Sequence, residues 1–172
     1  MVQWCNGASK NIYLKISYIS IFSLYLQSYN NIWTEDCLTY HPPATWQGRT
    51  EAQTDREFVC FMTMGMGYRA AWKILQTYYE SLPKMGKIFC LYKIIHRWAP
   101  PEDNNDTSAY LNRVTKLTGI SAMQSLPEPR TAEGYRVLHD VIIAMTCVEN
   151  GIKPEEVPVS AILQGYQLAF KK

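Results

Sequence analysis

The chain has 172 residues, 47% hydrophobic and 19% charged, enough length and apolar content for one packed domain. A formal net charge of +2 and the absence of any basic run exclude a nucleic-acid footprint. Five widely spread cysteines, odd in number and without a Cys-x-x-Cys pair, argue against a disulfide framework and a structural zinc site.

Residues 1–11 show no pattern. Ile12 to Tyr29 is rich in Ile, Leu, Tyr and Phe and fits either one buried helix or two short strands. A signal segment ranks second for this stretch, because no small-residue cleavage site follows. Lys15 leaves fewer than about 18 clean apolar residues, so a membrane span is not expected. Asn30 to Thr54 carries Pro42-Pro43 and Gly48 and reads as loop and turn. A small β-hairpin is expected from Trp46 through Phe61, with a short first strand and a more apolar second one.

From there the period is helical. Tyr68 to Ser81 repeats apolar residues at helical spacing and stops at Pro83 and Gly86. A second helix is expected over Ile88–Trp98, and a third over Ser108–Thr118 with Gly119 as its left-handed cap. The longest helix runs from about Ala132 to Asn150, with Tyr135, Leu138, Val141, Ile142, Met145 and Val148 on its buried stripe. Val159 to Phe170 makes the last. The fold class is therefore mainly α (α+β): about five helices and one small β-hairpin. Cys60, Cys90 and Cys147 fall in apolar runs and read as buried thiols. Cys37 and His41 are too loosely spaced to define a metal site, and neither a metal nor a cofactor is expected.

The stretch Ile94–Tyr110 stands out. A helix end runs into Arg97-Trp98, and Pro100-Pro101 stops it. Five polar residues follow, Glu102 to Asp106, and Asp106 or Thr107 caps the next helix. This is either a well-capped helix–loop–helix or a groove in which Trp98, Asn104 and Asn105 meet a polar, ring-containing ligand. The second notable residue is Glu149. It lies beside the buried stripe of its helix and in the last turn, where the helix dipole and partial burial both favour the protonated acid. That is the state a general acid for glycosidic cleavage needs. The plainer alternative is a solvated glutamate at a frayed helix end. A partner carboxylate would come from Glu51, Asp55 or Glu57 on the hairpin, whose plainer reading is a polar strand face. No phosphate loop, nucleophile elbow or His-Glu-x-x-His motif occurs.

From Trp46 onward the chain resembles a family of small phage and prophage proteins labelled virion structural proteins. The resemblance rests on Trp46-Gln47-Gly48, Asp55-Arg56-Glu57-Phe58, Gly67-Tyr68-Arg69-Ala70, Arg97-Trp98-Ala99-Pro100-Pro101, Asn105-Asp106-Thr107 with Tyr110, and Glu149-Asn150-Gly151. Family members open with a Gly-Ile-Arg-Asn-Asn-Asn-Pro-Gly-Asn-Ile-Arg segment, which only Asn30-Asn31-Ile32 matches here. The motif order is also similar to a circularly permuted lysozyme-like wall-lytic glucosaminidase or muramidase. The resemblance implies a divergent segment over 1–30 and one lysozyme-like domain over 31–172. It implies a protein made in the bacterial cytoplasm and then associated with the virion, where other virion proteins are possible partners. Bacterial peptidoglycan is its implied substrate, with no nucleic-acid and no membrane partner. The site it implies has Glu149 as general acid, with Trp46, Tyr68, Arg69, Trp98, Asn104, Asn105 and Tyr110 lining the cleft. A non-catalytic virion or wall-binding protein is the competing reading.

Overall fold

The computed structural model describes the backbone of residues 3–4, residues 46–51 and residues 59–171. Asp55, Glu57, Cys37, His41 and the Ile12–Tyr29 stretch lie outside the described residues, as does most of the 1–30 segment. Among the described residues, five α-helices carry the fold: α1 (Met64–Ser81), α2 (Leu91–Trp98), α3 (Thr107–Thr118), α4 (Ala132–Asn150) and α5 (Val159–Phe170). The molecule is mainly α-helical, as its apolar periodicity predicts. No described helix is long and apolar enough to cross a membrane.

Two two-residue strands, β1 (Gln3–Trp4) and β2 (Cys60–Phe61), pair in parallel. β2 also meets the Trp46-Gln47-Gly48 turn. Arg49 bridges Phe61 in antiparallel sense, Thr50 N donates to Cys60 O at 3.0 Å, and Met62 N donates to Gly48 O at 2.8 Å. The expected hairpin thus appears as this antiparallel contact, while its connecting residues 52–58 lie outside the described residues. β1 was not foreseen, because two residues are too few for any period to register.

Helix α1 begins four residues earlier than its periodicity suggests. Thr63 caps it, accepting from Met66 N at 3.3 Å. Gly65 and Gly67 lie inside the helix, and any side chain at Gly65 would run into Gln164 of α5. α1 packs most extensively on α5. The two approach closely at Gly165, where a Cβ would collide with Tyr68 and the backbone of Arg69. Trp72 is fully buried at this crossing and donates its indole N–H to Ile162 O at 3.2 Å. Its ring stacks on Tyr135 and meets Tyr166 and Phe170 edge-on.

Helix α2 begins at Leu91 rather than Ile88. Ile88 and Phe89 lie outside the helix, and Phe89 O accepts from Leu126 N at 2.9 Å. Ala122 O accepts from Tyr92 N at 2.9 Å, taking up one of the free N–H groups in the first turn of α2. The 120–131 connection is therefore a strap laid across α2, not a plain loop. α4 spans Ala132–Asn150, with Leu138, Val141, Ile142 and Met145 buried along its stripe. Cys60, Cys90 and Cys147 are buried, as their apolar settings imply.

Candidate functional site

Three helices converge on one carboxylate. α4 ends at Asn150 with Gly151 in the left-handed conformation, φ 63°. Its stripe turns Glu149, half-buried, toward the end of α2 and the start of α3. Trp98 Nε1 donates to Glu149 Oε1 at 3.2 Å. Tyr110 Oη donates to the same oxygen at 2.8 Å and grazes Met145 O at 3.5 Å. Both rings are buried, Trp98 to 3% exposure and Tyr110 to 8%. A buried indole N–H or phenol seeks an acceptor, and Glu149 serves both.

The corner that presents these donors is held by its own polar groups. Pro101–Asp103 makes a short 3₁₀ turn, and Asn104 closes it at φ 59°. Asn104 is the one non-glycine with positive φ among the described residues, a conformation asparagine tolerates. Asn105 Nδ2 donates to Pro100 O at 2.9 Å. Asp106 caps α3, its Oδ1 accepting from Ala109 N at 2.9 Å. Thr107, the other cap candidate, turns inward and donates to Ala99 O at 2.6 Å. Asn104, Asn105 and Asp106 remain exposed.

The electrostatics follow from this packing. Burial pushes the Tyr110 phenol well up, and the Glu149 charge beside it adds to the effect. Tyr110 is thus a fixed donor at any working pH. Among the described residues, no group of three or more His, Cys, Asp or Glu could hold a metal ion.

The other expected site residues fall in several places. Tyr68 is buried, with its hydroxyl 3.3 Å from Thr146 Oγ1, one turn before Asn150 on α4. Burial pushes this phenol up to about 12. Asn150 Nδ2 donates to Thr146 O at 2.7 Å, so Tyr68 and the end of α4 are joined through Thr146. Arg69, the next residue on α1, lies at the α5 crossing. Trp46 is half-buried, its ring edge-on to Phe61 at 6.4 Å. Glu51 is exposed just after the Trp46–Arg49 turn. Thr107, expected only as a cap candidate, and Thr146, not singled out beforehand, tie this region together. Each sits on the apolar face of its helix, and that misplaced hydroxyl is the signal that marks them.

No protein-family model matches the chain. It is similar to Protein P5 of Pseudoalteromonas phage PM2, with 38% identity over 127 residues, which cover 74% of this chain and 71% of the phage protein. The chain belongs to the family of that phage protein. This Protein P5 relative carries its clustered carboxylate and aromatic donors at a corner built by Pro100 and Pro101, within the mainly helical part of the fold.

Proposed function

We propose that the chain is a virion-associated phage protein acting on bacterial peptidoglycan, as a glycan-strand hydrolase with Glu149 as its acid–base carboxylate. The observation that carries this reading is the convergence of Trp98 and Tyr110 on Glu149 at a half-buried helix end. The fixed geometry serves a general acid or base, which must be held in place before substrate arrives. The exposed Asn104 and Asn105 at the same corner supply amides for sugar hydroxyls and acetamido groups. Glu51, Asp55 and Glu57 stay the candidates for the second carboxylate. The phage relative supports the virion setting.

One observation favours a second reading, a non-catalytic wall-binding or virion structural protein. A carboxylate receiving two buried donors from two other helices also makes a structural tie. Release of reducing sugars from purified peptidoglycan separates the two. Under the hydrolase reading the protein releases them, and Glu149→Gln lowers turnover about a hundredfold or more. Under the second reading the protein sediments with peptidoglycan and releases none.

A further inference from the structure

We propose that the seam of α1 bearing Arg69 and Lys73 binds a phosphate group, carried on a ligand whose apolar or ring portion rests against Phe170 and Tyr166 of α5. The proposal does not rest on the hydrolase reading.

α1 is buried almost all round. Its continuous solvent-reaching stripe is Met66, Arg69, Lys73, Thr77 and Glu80. α5 walls one side of the stripe, since Gly165 abuts the Arg69 backbone and the Phe170 ring lies 5.2 Å from Lys73 Nζ. Tyr166 packs edge-on beside Phe170, with ring centroids 5.2 Å apart, and both are half-buried. The acidic end of the stripe is already occupied. Glu80 accepts from Arg130 at 3.1 Å and from Gln76 Nε2 at 2.8 Å, and Arg130 also holds Glu128 at 2.8 Å.

The basic end is not occupied. Among the described residues neither Arg69 nor Lys73 forms an ion pair. They stand four residues apart on one face, where like charges repel. Arg69 Nε is buried with no hydrogen-bond partner. Buried polar atoms are nearly always paired, so this unpaired donor asks for an acceptor. Burial first, then the neighbouring Arg69 and Arg130 charges, hold the Lys73 ammonium below its ordinary range. Burial does the same to Arg69. The stripe is thus a partly desolvated, positive seam.

Two cations on adjacent turns, neither in an ion pair among the described residues, match a dianion better than a monoanion. A phosphate monoester carries about −1.5 to −2 near neutral pH and offers three acceptor oxygens. A guanidinium meets such oxygens with paired N–H groups, and an ammonium meets them as a point charge. The Phe170 and Tyr166 rings supply a wall for the body that bears the phosphate.

The test is a titration of the full chain, followed by amide chemical shifts at constant ionic strength balanced with sodium chloride. The probes are inorganic phosphate, phenyl phosphate and acetate. The expected result is saturable shifts at Arg69, Lys73 and Phe170, with phenyl phosphate bound at least threefold tighter than inorganic phosphate and acetate about tenfold weaker. Lys73→Gln should weaken phosphate binding about tenfold, as should Arg69→Gln if it folds, while Arg113→Gln on α3 should leave it unchanged. Lys73 reaches solvent, so its variant folds and decides the matter alone. Shifts that merely follow ionic strength would overturn the proposal, as would acetate matching phosphate or Lys73→Gln binding like the parent.

Discussion

Removing the Tyr110 hydroxyl isolates the contact on which the candidate site depends. Tyr110→Phe keeps the ring in its buried place and deletes the 2.8 Å donor to Glu149 Oε1. The bond to Met145 O, at 3.5 Å, is at the limit of geometry and adds little. Hydrogen bonds to charged groups contribute about 1.5–3 kcal/mol. Glu149 is half-buried and keeps Trp98 at 3.2 Å, so the low end of that range applies, about 1.5 kcal/mol. For a chain of this size that lowers Tm by about 3–6 °C. Urea unfolding at pH 7, followed by circular dichroism, measures the cost in Tyr110→Phe, Glu149→Gln and the double variant. Most of the Tyr110 contribution is made to the Glu149 charge, so the cycle should show a coupling of about 1 kcal/mol. Costs that simply add, within about 0.5 kcal/mol, would refute the claim that these side chains act as a unit.

Alkaline stability tests the core tyrosines. A phenol pushed up to about 12 in the fold, against about 10 unfolded, stabilises the fold fully below pH 10 and loses that contribution as pH rises towards 12. Unfolding free energy should hold steady from pH 7 to about 10 and then fall. Tyr68→Phe should remove about 2.7 kcal/mol of that fall, at about 1.36 kcal/mol per pKa unit. A pH slope unchanged in Tyr68→Phe would reject the assignment. Asp106→Ala should lower stability by about 0.5–2 kcal/mol through loss of the α3 cap. Thr107→Ser, which keeps the hydroxyl on Ala99 O, should stay within about 0.5 kcal/mol of the parent, and denaturant midpoints compare the two.

The helices were legible because each carries its own punctuation. Gly119 and Gly151 close α3 and α4 in the left-handed conformation, and the Leu138–Met145 stripe fixed which face of α4 turns inward. The misreadings occurred where a tertiary partner overrides local signal. Gly65 and Gly67 lie before the expected Tyr68–Ser81 helix, yet the helix runs through both. Ile88 and Phe89 fit a helical period, but Phe89 O is taken by Leu126 N of the 120–131 strap, and the helix starts only at Leu91. At the site, the sequence marked Glu149, Trp98 and Tyr110 one by one. That they share a single oxygen depends on the angle between α2, α3 and α4, and no spacing rule encodes that angle.

The same geometry explains why one substitution can separate the proposed catalysis from folding at Glu149. The corner satisfies its own backbone: Asn105 closes on Pro100, Asp106 on Ala109, and Thr107 on Ala99. It therefore presents Trp98 and Tyr110 as a rigid pair of donors whatever stands opposite. Those donors are buried, so an apolar residue at 149 would take away the acceptor they share, and a buried donor left unmet costs about 1–3 kcal/mol. Glutamine keeps an acceptor oxygen for them and removes only the ionisable proton. A Glu149→Gln protein that folds like the parent and still binds peptidoglycan but releases no sugar would thus place the lost activity in the carboxylate's chemistry. A parent that releases no sugar at all would leave Glu149 as the tie between three helices.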